Sequence, residues 1–178
     1  MSFVRKASDV IKLRRILKKS NSKIQIIAKI ENAEGLKNID SIIRVSDGIM
    51  VARGDLGIQI PIENIPHCQK NIIKKCKEFG KPVIVATQML DSMIKNPRPT
   101  RAEVTDVANS IIDGTDAVML SGETTIGKYP LKAVEVLDKI ARITEKELEF
   151  RGIQKKEEAD IQESLSRAVC QTAYELNA

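Results

Sequence analysis

Two short stretches carry side chains that could do chemistry together. Lys29-Ile30-Glu31-Asn32 closes an apolar run, and Arg53-Gly54-Asp55-Leu56-Gly57 follows directly on another. Residues two apart on a strand point the same way, so Lys29 and Glu31 share a face. Taken alone they could be a structural ion pair, and Arg-Gly-Asp-Leu-Gly could be a tight turn. Taken together they offer more. Glu31 and Asp55, from neighbouring strand ends, are the one or two carboxylates that Mg²⁺ or Mn²⁺ takes from a protein beside water and substrate oxygens. Lys29 adds a cation, and the glycines let backbone approach a ligand. Such a set suits a transferring phosphoryl group or a developing enolate.

The elements that must position these groups are legible in the hydropathy pattern. Ile24 to Ile30, Gly48 to Ala52, Pro82 to Ala86 and Asp116 to Leu120 are short, Val/Ile-rich and nearly all apolar. That pattern predicts buried parallel strands. Helical patterns lie between them. Residues 7–19 place Val10, Leu13, Ile16 and Leu17 on one face. Residues 66–79 stop at Gly80 with Pro82 beyond. Thr100 and Glu103 form a capping box ahead of Val104, Val107, Ala108, Ile111 and Ile112, and Pro130 opens a further helix. The β/α alternation predicts an α/β fold with a parallel sheet. Periodicity leaves a barrel and an open doubly wound sheet both possible. Each strand ends in polar residues (Lys29 and Glu31, Arg53 and Asp55, Thr87 and Gln88, Ser121 and Glu123), as a (β/α) barrel site requires.

Composition narrows the function classes. The chain has 178 residues, 42% hydrophobic and 30% charged, with no apolar run long enough to span a membrane. Its start lacks a signal-peptide layout, so a cytoplasmic protein is expected. The net charge of +5 is scattered, aromatic content is 3% and there is no Trp, which argues against nucleic acid as a partner. Cys68, Cys76 and Cys170 are expected to be buried or half-buried thiols rather than a disulfide framework. His67 is expected to be a surface or interface residue rather than a catalytic one, and Ser121 and Glu123 are expected to order a strand end.

The motifs, read in order, resemble the pyruvate kinase family. The resemblance runs from Ile24 to Leu36, through Gly48 to Gly57, Ala86-Thr87-Gln88-Met89-Leu90 and Asn96 to Glu103, to Met119 to Thr124. It covers roughly residues 1–150. It implies phosphoryl transfer from phosphoenolpyruvate to ADP, giving pyruvate and ATP, with Mg²⁺ (or Mn²⁺) and K⁺ as cofactors. The implied fold is half of a TIM-type (β/α)8 barrel over residues 1–150, with 151–178 as a linker and the first helix of a C-terminal domain. By the same resemblance Lys29 stabilises the phosphoryl group and the enolate oxygen, and Glu31 and Asp55 hold the metal. Backbone amides around Arg53, Gly54 and Asp55 receive the substrate carboxylate. Thr87 organises protonation of the enolate carbon with water, and Ser2, ending a clipped strand, lies near the phosphate.

The family's first three barrel strands, its lid domain and its K⁺ ligands have no counterpart in this sequence. A chain of this extent is therefore expected to be nearly inactive alone and to self-associate through open strand edges, where the family forms homo-tetramers. Two other classes fit less well. One is a Mg²⁺-dependent aldolase or lyase acting on pyruvate or oxaloacetate, and the other is a non-catalytic module that binds the full-length kinase. The lysine two before the glutamate and the Pro-Arg-Pro-Thr-Arg-Ala-Glu block favour the kinase.

Overall fold

A computed structural model describes residues 1–148 and 161–176. These fall into two compact units, Met1–Lys146 and Glu147–Ala178. The first unit is built on four strands, β1 (Ile27–Ile30), β2 (Gly48–Ala52), β3 (Val83–Ala86) and β4 (Ala117–Met119). They lie side by side in sequence order, every neighbouring pair parallel. This is the α/β architecture expected from the alternation.

Helices fill the connections. α1 (Ala7–Lys19) precedes β1, and α2 (Ala33–Lys37) and α3 (Ile39–Val45) join β1 to β2. α4 (Arg53–Gln59) and α5 (Ile65–Glu78) join β2 to β3. α6 (Arg101–Ile112) leads to β4, and α7 (Gly122–Thr125) and α8 (Pro130–Lys146) follow it. The stop signals act as read. Gly80, at φ +60, turns the chain out of α5 so that Lys81 N–H reaches the Cys76 carbonyl. At the start of α6 the Thr100 side chain accepts from Glu103 N–H, while the Glu103 carboxylate accepts from Thr100 N–H.

The core lies between one face of the sheet and the helices. Ala28, Ile30, Ile49, Val51, Val83 and Val85 are fully buried against Ile42, Ile43, Ile72, Ile73, Cys76 and Val107. The opposite face is less covered: Lys29, Met50, Ile84 and Met119 are half-buried and Ile27 is exposed. On that side Gly48 and the strand-end residues Ala52 and Ala86 are buried.

Three details differ from the sequence reading. β1 begins at Ile27 rather than Ile24, because its partner begins at Gly48; just ahead, Asp47 accepts from Ile26 N–H and gives its own N–H to the Ile26 carbonyl. Ile16 and Ile112 sit at the margins of their apolar faces and are exposed. Cys170 is exposed, whereas Cys68 is half-buried and Cys76 buried; all three are free.

At the open side of β1 the N-terminus adds a stub. The Met1 amino group donates to the Ile27 carbonyl at 2.8 Å and Lys29 N–H donates to the Met1 carbonyl at 2.9 Å, the spacing of a parallel ladder. Among the described residues, β4 has β3 as its only strand neighbour.

The second unit contains α9 (Ile161–Glu175); Leu165 and Val169 on it, and Leu176 just beyond it, are exposed. Within the expected linker and helix over 151–178, residues 151–160 and 177–178 lie outside the described residues. No described helix is long and apolar enough to cross a membrane.

Candidate active site at the C-terminal strand ends

The strand register explains where the polar residues meet. Ile30 pairs with Val51, Val51 with Val85, and Ala86 with Met119, so Glu31 emerges level with Ala52, Ala86 and Met119. The chain turns after Ala52 directly into α4, whose first turn is Arg53-Gly54-Asp55. The segment is a helix, not a turn between strands.

Glu31 is the most enclosed of these residues, 2% exposed. Its Oε1 lies 2.6 Å from Lys29 Nζ, and its Oε2 accepts from Phe3 N–H in the N-terminal stub. The Asp55 side chain, in the first turn of α4, lies close enough to act on it. Burial pushes the Glu31 carboxyl up, but Lys29 and the Phe3 N–H outweigh burial and hold it below the usual carboxylate range. Two carboxylates brought together at a strand edge, one of them buried, form a hard-oxygen donor pair. No third His, Cys, Asp or Glu completes a cage among the described residues. That set fits a divalent cation that keeps water and substrate oxygens as its remaining ligands.

Thr87 and Gly54 form the other half. Thr87 and Gln88 follow β3 at φ +73 and +53, the left-handed region, where a β-branched residue is an outlier. Thr87 Oγ1 accepts from Gly54 N–H at 2.7 Å and donates to the Ala86 carbonyl at 2.6 Å. A Cβ built on Gly54 would find Thr87 Oγ1, Cβ and Cγ2 as its three nearest atoms, at 3.5, 3.6 and 4.0 Å. These are ordinary contacts, so packing alone does not demand glycine there.

Lys29, Glu31 and Asp55 are therefore gathered, and Gly54 and Thr87 are joined to each other. Ser2 is exposed, one residue before the Phe3 amide that binds Glu31. The Arg53 side chain is spent on the protein itself: its guanidinium meets Asp106 at 2.7 Å and the Thr87 carbonyl at 2.8 Å. What it can offer a ligand is its backbone.

Ser121 and Glu123 do order the end of β4. Glu123, 2% exposed, accepts from Ser121 N–H at 2.8 Å and from Leu90 N–H at 3.0 Å, fastening β4 to the chain after β3. His67 is exposed on α5.

Asp106 and Gln69, which hold Arg53, escaped the sequence reading. Gln69 had a signal: it is a buried amide in line with Ile72, Ile73 and Cys76 on the apolar stripe of α5. A polar residue in such a stripe needs a partner, and Arg53 Nη1 and the Asp113 carboxylate supply it.

Comparison with known proteins identifies the family. The family model for "Pyruvate kinase, barrel domain" matches residues 1–134. A pyruvate kinase of Sporosarcina psychrophila is 55% identical over 180 residues, covering 98% of this chain and 31% of the relative. One from Thermotoga maritima is 54% identical over 178 residues, covering 100% of this chain and 38% of the relative. The crystal structure of a pyruvate kinase from Cryptosporidium parvum superposes with a TM-score of 0.94 at 46% identity, over 99% of this chain and 38% of that one. The chain thus spans about a third of the length of the relatives it matches. The family match over residues 1–134 and relatives about 55% identical across nearly the whole chain place it in the pyruvate kinase family, with residues 1–134 matching the barrel domain.

Proposed function

We propose that this chain provides the metal- and substrate-binding edge of a pyruvate kinase, for phosphoryl transfer from phosphoenolpyruvate to ADP in glycolysis. The observation that carries the proposal is the meeting of Glu31 and Asp55 beside Lys29, at the strand ends where Gly54 and Thr87 are also joined. Glu31 and Asp55 hold Mg²⁺ or Mn²⁺, which when bound neutralises negative charge on phosphoryl and enolate oxygens. Lys29 sets a cationic amine, 31% exposed, where the phosphoryl group leaves and the enolate oxygen gains charge. The substrate carboxylate lies against the backbone at the start of α4, with Ser2 on the phosphate side. The Thr87 hydroxyl, its proton held by the Ala86 carbonyl, accepts through its remaining lone pair from a water that protonates the enolate carbon.

Lys29, Asp55 and Thr87 are all part-exposed in these 178 residues. Water therefore reaches groups that phosphoryl transfer needs dry. Expressed alone, the polypeptide binds ligand but turns over slowly, and it self-associates through the edges of its sheet. Residues 161–176 are the opening helix of a C-terminal domain.

Isothermal titration of the purified 178-residue chain with phosphoenolpyruvate, with and without Mn²⁺, tests the reading. Binding that requires Mn²⁺ is expected. Binding indifferent to the cation, or none at millimolar ligand, contradicts it. A pyruvate-release assay with ADP, Mg²⁺ and K⁺ then checks for slow turnover; a rate like that of a full-length relative would refute that part.

A further inference from the structure

We infer that Arg53 is a positioning residue for this site, acting through Thr87 rather than on a ligand. The inference rests on the reading of the site as a phosphoenolpyruvate site. Its observation is separate: one guanidinium fastens two consecutive residues held in the left-handed region. Nε and Nη2 donate to the Thr87 carbonyl at 3.3 and 2.8 Å, and Nη2 also donates to the Gln88 carbonyl at 3.3 Å. Thr87 and Gln88 are the consecutive residues in the left-handed region. Such a conformation persists only where its surroundings over-determine it.

The guanidinium is itself oriented. Nη1 meets the Asp106 carboxylate of α6 at 2.7 Å, and the side chain is 10% exposed. A planar fork can satisfy a carboxylate on one side and two carbonyls on the other, which a lysine cannot reproduce. The next residue closes the loop: Gly54 N–H donates to the hydroxyl of the same Thr87. The start of α4 therefore grips Thr87 twice, through the Arg53 side chain on its carbonyl and the Gly54 amide on its hydroxyl. Without the fork, Thr87 is free to relax toward negative φ, and its hydroxyl moves off the amide.

A purely architectural arginine, tying α6 to the sheet, would change stability without acting through Thr87. A double-mutant cycle on the full chain separates the two roles, with Arg53→Met, Thr87→Val and the double variant titrated with phosphoenolpyruvate in saturating Mn²⁺. Each single change is expected to weaken phosphoenolpyruvate binding about ten-fold, the loss of one buried polar contact. Mn²⁺ affinity should stay within about two-fold, and the double variant should be no weaker than the weaker single. Additive losses, or Arg53→Met binding like the parent, overturn the inference. Should Arg53→Met not fold, Asp106→Asn takes its place in the cycle under the same criteria, since it removes the charge that orients the fork. If the parent chain binds neither Mn²⁺ nor phosphoenolpyruvate, the reading of the site fails. Arg53 is then judged on amide resonances: shifts at Gly54 and Thr87 in Arg53→Met support positioning, and unmoved resonances refute it.

Discussion

Substituting Gly54 by alanine separates what the fold needs from what the ligand needs. Gly54 is the second residue of α4 and does not lie in the left-handed region, so alanine can adopt its backbone. The added Cβ meets only ordinary contacts, Thr87 Oγ1 at 3.5 Å and Thr87 Cβ at 3.6 Å. Replacing a helical glycine by alanine gains at most about 1 kcal/mol. For a chain of this size the melting temperature should hold or rise by up to about 4 °C. The methyl group, however, stands over Thr87, where the proposed substrate carboxylate must come close to the amides of α4. Intrusion of one methyl into filled space costs about 1–3 kcal/mol, or roughly 5- to 150-fold in affinity. Thermal melts followed by circular dichroism, together with calorimetric titration of phosphoenolpyruvate in Mn²⁺, give both numbers. Unchanged affinity would refute the placement of the ligand. A melting temperature lowered by more than about 4 °C would show that the glycine serves packing instead.

Gly35→Ala should behave in the opposite way, because its Cβ would lie 2.8 Å from the Val4 carbonyl oxygen and backbone must move. A loss of about 1–3 kcal/mol in urea unfolding is expected, and no loss would contradict the packing. Asp47 is held below its usual carboxylate range by the Arg14 guanidinium, with burial opposing and the Ile26 N–H assisting. Since its folded pKa lies below the unfolded 3.8, its stabilisation is complete above that pH and lost as pH falls through the lower folded value. Asp47→Asn should therefore melt below the parent at pH 7 and converge with it in acid; a constant gap would sink the assignment. Thiol labelling should strike the exposed Cys170 first and Cys76 only on unfolding, since burial, aided by Asp116, pushes the Cys76 thiol up to about 12. Fast labelling of Cys76 in the native chain would contradict its burial.

Much of this was written in local pattern. The alternation of β-branched runs with capped amphipathic helices was enough for a parallel α/β fold, because Thr100 with Glu103 and Gly80 act within a few residues of themselves. The pairing of Lys29 with Glu31 needed only strand periodicity. Contacts made across the fold were not legible. Arg53 lies 53 residues from Asp106 and 34 from the Thr87 carbonyl, and nothing local to any of them announces the clamp. The Phe3 amide that completes Glu31 comes from 28 residues away, and the short β1 reflects where β2 starts rather than its own propensity. Positive φ at Thr87 and Gln88 ran against their residue types, so no local pattern announced it.

In the proposed site Glu31 and Asp55 jointly hold one divalent cation beside Lys29. Loss of the free Mn²⁺ signal in electron paramagnetic resonance, titrated against the parent chain, Glu31→Gln and Asp55→Asn, tests it most directly. One Mn²⁺ bound per chain, with affinity reduced at least about ten-fold in each variant, is the predicted result. Equal Mn²⁺ binding in all three proteins would contradict the claim.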